Sequence, residues 1–389
     1  MNPFAPHYDV VIVGARCAGA ATALLLARAG AKVLVVDRQS RGSDTMSTHM
    51  LMRAGVLQLQ RWGLQPILAA QGTPEIKSTT FHYGPESVRV AIKPEYGVEH
   101  LYAPRRTVLD PILVDAAEEA GADVRHGVSL SGLQFDSSGR VVGAWLKHDE
   151  NRPIGVRAGL VVGADGRQST VARLTAAETY LESRSSSALV YGYFEGLPDD
   201  GLHWYFESCM AAGVIPTNSG QHCVFAAVPQ HRFALTFRGD VERGFSTTLA
   251  ACSPDLARAI GRAGIVGRLR GFAGARGFLR QPHGPGWALV GDAGYFKDPL
   301  TAHGITDALR DAELLAQAVL AGEERAMAAY QKERDVLSIP LFEVTDAIAS
   351  FDWTLDKVQG LHISISAAMK AETGALARMP AASGNRLAA

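Results

Sequence analysis

The sequence predicts an α/β protein with an α+β insert: a parallel sheet with helical crossovers, an antiparallel β-rich layer and C-terminal helices. Three observations predict it. Residues 8–37 read as strand, helix, strand. Two further apolar runs, 159–165 and 287–292, each end in an acid, as buried strands do at a sheet's carboxyl edge. Residues 186–240 hold apolar and aromatic runs divided by Pro, Gly and Asp clusters, with no helical crossover between them.

Taken in order, YDVVIVG (8–14) is an almost continuous apolar run closed by glycine, short enough for a strand buried on both faces. Residues 18–29 are rich in Ala and Leu and stop at Gly30; KVLVVD (32–37) is the next buried strand. Parallel strands need such a crossover. Residues 48–63 and 106–120 read as helices. Segment 122–147 alternates around Ser138-Gly139, which predicts a small β-meander. Runs at 189–194, 203–206, 222–228 and 233–237 predict strands of the second layer, to which 80–95 can add. From Ile305, apolar positions 308, 309, 312, 315, 316 and 319 mark one face of a helix starting near Gly304. The remainder reads as helical, ending in a small-residue tail at 380–389.

Composition excludes several function classes. A net charge of −1 with 20% charged residues gives no electrostatic case for nucleic acid. No apolar run is long enough for stable membrane insertion, and MNPFAPHYDV has no charged leader followed by an apolar stretch. The four cysteines (17, 209, 223, 252) form no Cys-x-x-Cys and no Cys/His ligand spacing. Reduced thiols in a cytoplasmic protein, with no metal, are the expectation.

Three turns carry the chemistry. In VIVGARCAGAATALLLARAG, Gly14 ends a strand, Gly19 lies where the helix must pack closely on the sheet, and Asp37 ends the next strand. A helix N-terminus there suits a pyrophosphate, and an acid at the second strand's end suits ribose hydroxyls, as in Rossmann-like domains. The usual G-x-G-x-x-G has Arg16 at its middle glycine, so a guanidinium can lie along the phosphates instead. VVGADGRQSTVAR (161–173) is an Asp-Gly turn after a buried strand, which by itself reads as a surface turn before a functional one. GDAGYFKDPLTAHGIT (291–306) places Asp292 at a strand end, rigidifies the approach with Pro299, and opens a helix at Gly304 whose positive end suits an anionic ring.

Together, in this order, the three turns resemble the single-component FAD-dependent monooxygenases with the p-hydroxybenzoate hydroxylase-like fold, related to geranylgeranyl reductases and flavin halogenases. The resemblance covers nearly the whole chain. It implies a Rossmann-like FAD-binding domain built from 1–79, 101–180 and 281–325. It also implies a β-sheet substrate domain from 80–100 and 181–280, and C-terminal helices and tail over 326–389. Carried onto this sequence, it assigns Gly14, Arg16, Ala18 and Gly19 to the pyrophosphate, Asp37 to the ribose and Arg38 to the adenosine. Arg53 of RAGVL would reach the phosphates, Arg106 of RTVL would brace the dinucleotide, and Val128 would touch adenine. Asp165 and Gly166 form the Asp-Gly motif, Asp292 meets ribityl and pyrophosphate, and Pro299, Gly304 and Ile305 flank the isoalloxazine. The sequence departs from the hydroxylases at Arg16 and at AHGIT, which puts His303 at the flavin edge.

The substrate, a small and aromatic or polycyclic molecule, is expected between flavin and β-rich layer. His49 in DTMSTHML falls near the flavin face, so His49 and His303 are candidate catalytic groups, each alternatively structural. Tyr191, Tyr193, Phe194, Trp204, Tyr205 and Phe206 either line an aromatic pocket or form sheet core. GFAGARG (271–277) has glycine spacing but no preceding strand, and is read as a loop, leaving no second dinucleotide domain. The resemblance implies a monooxygenase in which NADPH or NADH is a transient reductant and O2 forms a flavin C4a-hydroperoxide. The alternatives are a flavin-dependent reductase or dehydrogenase of the geranylgeranyl reductase kind, and a non-catalytic FAD-binding protein. A halogenase would need a Trp-x-Trp-x-Ile-Pro element, where only Gly213-Val-Ile-Pro216 stands. Oligomeric state is not legible.

Overall fold

A computed structural model describes residues 4–148 and 152–380. Strand β1 (His7–Val13), helix α1 (Cys17–Arg28) and strand β2 (Val33–Asp37) form the crossover unit. β1 runs parallel to β2 on one side and to the strand Ile154–Gly163 on the other. Trp287–Leu289 adds parallel beyond Ile154–Gly163, and Asp123–His126 adds parallel beyond β2. Val10 to Val13 are buried because helices cover one face and a hairpin, Val128–Phe135 with Val141–His148, covers the other. The expected meander at 122–147 is therefore split. Asp123–His126 pairs with β2 because its alternating sequence suits a sheet edge as well as a hairpin.

A second sheet of seven strands, among the described residues, runs in the order 264–272, 187–195, 221–229, 210–217, 202–207, 78–83, 86–91. It is antiparallel except where Leu202–Glu207 meets Ser78–Tyr83 in parallel. The strand Ser78–Tyr83 straddles residue 79, where the sequence placed a boundary. One face of this sheet packs on the C-terminal helices Glu324–Ala349 and Leu355–Arg378, and the other on Val241–Cys252 and Pro254–Arg262.

Three element expectations are corrected. Phe233–Phe237 is a helical turn, not a strand, because a five-residue apolar run fits either and Phe237 reaches the core under the sheet from a helix. Residues 48–52 are not helical; His49 has φ +65, and the helix starts at Arg53. GFAGARG does follow a strand, Gly264–Phe272, but an antiparallel one with no helix after it, so it cannot act as a dinucleotide turn. The tail from 381 onward lies outside the described residues. No described helix is long and apolar enough to cross a membrane.

Candidate cofactor and substrate site

The carboxyl edge of the parallel sheet opens into a cavity of about 910 Å³ that reaches the second sheet. Its floor is the β1–α1 turn. Gly14 has φ +110, and a Cβ there would stand 2.3 Å from the Ala164 carbonyl oxygen. A Cβ on Gly19 would fall 1.8 Å from the Gly14 oxygen, so helix and strand close up only with glycine at both positions. α1 begins without a side-chain cap, and Cys17 and Ala18 line the cavity, so its unpaired N–H groups open on that space. Asp37 is held at the far side by the Ala15 and Gln39 amides, both at 2.8 Å, leaving lone pairs free for further donors.

The last of the three turns meets the first directly. A Cβ on Gly291, at φ +59, would lie 2.8 Å from the Ala18 Cβ. Asp292 projects into the cavity, exposed to its space, yet the surrounding protein makes ionisation costly. Burial first, then Asp307, raise its pKa to about 6 against the pull of Arg106, Lys297 and Arg167. The helix Gly304–Ala321 also starts without a side-chain cap, and Gly304 and Ile305 line the same cavity. Two helix N-termini thus face one space.

Gly14, Arg16, Ala18, Asp37, Arg38, Arg106, Val128, Asp165, Gly166, Asp292, Pro299, Gly304 and Ile305 all line that cavity. Gly19 lies behind it, a packing residue. Arg53 lies elsewhere: its guanidinium donates to the Val98 and Lys93 carbonyls at 2.8 and 2.7 Å, with Glu95 at 3.6 Å, and it does not line the cavity. Asp165 lines the space but spends its oxygens on Ser169 Oγ (2.5 Å) and the Thr170 amide (2.6 Å), capping a short helix. Arg106 is bidentate on Asp110, which also takes the Cys17 thiol at 3.1 Å.

The two histidines are both fully buried and absent from the cavity lining. His49 Nε2 lies 2.5 Å from the Tyr193 hydroxyl, and burial, reinforced by Arg105 and Arg106, pulls its pKa down to about 3. His303 Nε2 lies 2.8 Å from Glu372, and burial with Lys297 pulls it down to about 3 as well. Neither lines the cavity; the neighbours Thr48, Met50, Ala302 and Gly304 line it instead. His303, Asp307 and Glu372 bring ligand-type atoms within 4.8 Å of one another, but Lys297 and Arg310 already sit on their carboxylates. The group is an ion-pair cluster.

Sequence reading missed the opposite wall. There Leu189, Tyr191, Met50 and Phe272 face the cavity with Arg270, whose guanidinium donates to Asp44 at 2.8 Å. Burial resists ionisation of Asp44, but Arg105 and Arg270 hold its carboxyl below the usual range. Tyr191 is 1% exposed and its hydroxyl makes no hydrogen bond. Of the six aromatics singled out, only Tyr191 reaches the cavity; Tyr193, Trp204 and Phe206 belong to the core on the same side of the sheet, and Phe194 and Tyr205 pack on the other. Arg270 lies on the alternating strand Gly264–Phe272, the one signal that could have placed it.

The FAD binding domain family matches residues 7–339. The chain belongs to this family. It is an FAD-dependent oxidoreductase by that membership. It is 29% identical over 342 residues to digeranylgeranylglycerophospholipid reductase 2 of Methanothermobacter thermautotrophicus, covering 81% of this chain and 79% of that one. Its fold matches a triple mutant of the flavin-dependent brominase Bmp2, with a TM-score of 0.80, 18% identity and 95% of each chain covered. It also matches PqsL of P. aeruginosa in complex with 2-aminobenzoylacetate, with a TM-score of 0.71 and 22% identity, covering 94% of this chain and all of that one.

Proposed function

We propose that the chain is a monooxygenase that uses NAD(P)H and O2 to hydroxylate a small aromatic or polycyclic substrate beside a bound FAD. One observation carries the choice of reaction: the wall opposite the cofactor position is short and polar-ended. It offers four apolar side chains, Leu189, Tyr191, Met50 and Phe272, closed by Arg270 and Asp44. That wall suits a compact ring bearing an oxygen or an acidic group. A long isoprenoid chain would need a continuous apolar groove. The PqsL neighbour, bound to 2-aminobenzoylacetate, is consistent with such a ligand.

The residues present fit FAD. Arg16 Nη1 is buried without a hydrogen bond, its closest acid being Asp110 at 3.7 Å, and is available to a phosphate. In this reading the α1 N-terminus, Arg16 and Arg106 hold the pyrophosphate. Asp37 and Arg38 take the adenosine with Val128 against adenine, and Asp292 accepts from ribityl hydroxyls. Pro299, Gly304 and Ile305 flank the ring, where the positive end of the Gly304–Ala321 helix stabilises negative charge. Bound FAD supplies hydride acceptance and O2 activation. The chain's own part is to orient the substrate through the Tyr191 hydroxyl and Arg270, and to exclude water behind Pro299. NAD(P)H approaches transiently, and the cytoplasm, which holds it, is the implied compartment.

The test is oxygen balance. Purified yellow protein, given NADPH or NADH, ¹⁸O2 and a panel of phenols and aromatic acids, is expected to yield one labelled oxygen in the product. The reductase reading is supported by the 29% identity to the Methanothermobacter enzyme. It predicts saturation of a double bond under nitrogen and no label. Label in no product, with anaerobic reduction of an alkene, would replace the first reading by the second.

A further inference from the structure

Behind the cavity wall lies a cluster of ions that this chemistry does not use. Lys297 and Asp307, both lining the cavity, pair with each other. Asp307 accepts from Arg310 at 2.9 Å. Arg310 also reaches Glu372, Asp311 and Ser338, each at 2.8 Å. The other Glu372 oxygen lies 2.8 Å from His303 Nε2. None of the six ionisable side chains is more than 4% exposed. Two cations, Lys297 and Arg310, thus face three carboxyls, Asp307, Asp311 and Glu372. The neighbouring Arg334–Asp335 pair leaves that imbalance unchanged. A buried excess charge is costly, and one proton removes it.

The His303–Glu372 contact is where that proton fits. Glu372 Oε2 and His303 Nε2 lie 2.8 Å apart but make no hydrogen bond, to each other or to any other group, so Glu372 keeps one fully buried oxygen without a donor, where an added proton is least costly. The groups facing Glu372 are Asp307 and Arg310 from the Gly304–Ala321 helix, and Lys297, His303 and Tyr295 from the segment before it. From the Glu324–Ala349 helix, Ser338 accepts from the Arg310 guanidinium that reaches Glu372, and Arg334 faces Asp311. We propose that Glu372 takes up one proton when the cofactor ring is reduced and returns it on reoxidation. The proposal rests on the reading that FAD occupies the cavity. Burial raises the Glu372 pKa to about 7 despite Arg310, with Asp307 adding to the rise and Lys297 opposing it. An added negative charge in the cavity, on which Lys297 and Asp307 border and to which Arg310 connects Glu372, strengthens proton binding at Glu372. In the balance, the ring receives two electrons and one proton and becomes an anion, and the Glu372 carboxylate receives a second proton from solvent. Coupling is electrostatic, so equilibrium requires no particular path.

The experiment is the pH dependence of the two-electron reduction potential of the holoprotein between pH 6 and 9, with an electrode as electron source. One proton per two electrons changes the equilibrium tenfold per pH unit, about 30 mV, and two protons change it hundredfold, about 59 mV. Wild type is expected to show the steeper slope through neutral pH, and Glu372→Gln the shallower slope there. Identical slopes overturn the proposal. Should Glu372→Gln not accumulate folded, infrared redox-difference spectra of wild type and Asp292→Asn serve instead. A protonated-carboxyl band gained on reduction in both supports Glu372, and its absence in either overturns it. A yellow holoprotein with unaltered slope sinks this inference alone, whereas a colourless protein that takes up no FAD overturns the cofactor reading as well.

Discussion

Asp292 shows how a single side chain ties pH to cofactor retention. Its carboxyl is poised near pH 6 by burial and by Asp307. In the proposed reading ribityl hydroxyls donate to the ionised form, so FAD binding would lower its proton affinity. FAD affinity is therefore expected to fall below pH 6, by up to about tenfold per pH unit, and to hold steady above it. Asp292→Asn should bind more weakly at pH 7 and lose most of that dependence; fluorescence-quenching titration reads both. The turn itself was legible, because Gly-Asp after a buried strand is a local pattern. Arg53 was not, since the direction of its guanidinium is set by carbonyls of residues 93 and 98, which no local pattern announces. The Lys297–Asp307–Arg310–Glu372 cluster was hidden for the same reason: Lys297 and Asp307 stand within the quoted turn and its helix, but their meaning comes from Glu372 on the C-terminal helix.

At the scale of elements, the crossover unit is held by close approach. Gly19→Ala would put a methyl 1.8 Å from the Gly14 oxygen, a backbone atom with nowhere to go. A loss of about 3 kcal/mol in urea unfolding is expected, with weaker flavin retention as α1 lifts from the sheet. Gly166→Ala, at φ +79 in open space, should cost less, about 1 kcal/mol, from backbone strain alone. Buried strands and the long amphipathic helix at 304–321 were readable because their periodicities are unambiguous over their length. Short runs were not. Phe233–Phe237 and residues 48–52 carry apolar content without enough turns to declare a period, and tertiary contacts decide them.

Across the whole molecule, Asp298 joins the layers. Its carboxylate takes the Ser187 amide and hydroxyl, both at 2.6 Å, and the Leu300 amide at 2.9 Å, so the strand Ser187–Glu195 of the second sheet is fastened to the loop bearing Pro299. Asp298→Ala leaves three buried donors unpaired, and a loss of about 3 kcal/mol is expected. If FAD is bound as proposed, with its ring beside this loop, substrate-stimulated NAD(P)H oxidation should become uncoupled from product before flavin is lost. Peroxide release per NAD(P)H measures this. The alternation of a parallel sheet with an inserted β-rich layer was visible from the chain; the seam was not, since Ser187 and Asp298 lie on different layers.

The convergence of Ala18 with Gly291 also sets an order of events in the cell. The β1–α1 turn leaves the ribosome well before the sheet's closing strand and the helix Gly304–Ala321, which emerge only with residues 287–321. At translation rates of about 5–20 residues per second, that interval is on the order of tens of seconds. Under the proposed FAD reading, a nascent polypeptide carries half a grip throughout it, so flavin capture waits for residues 287–321, and vitamin shortage would leave the chain open to proteases.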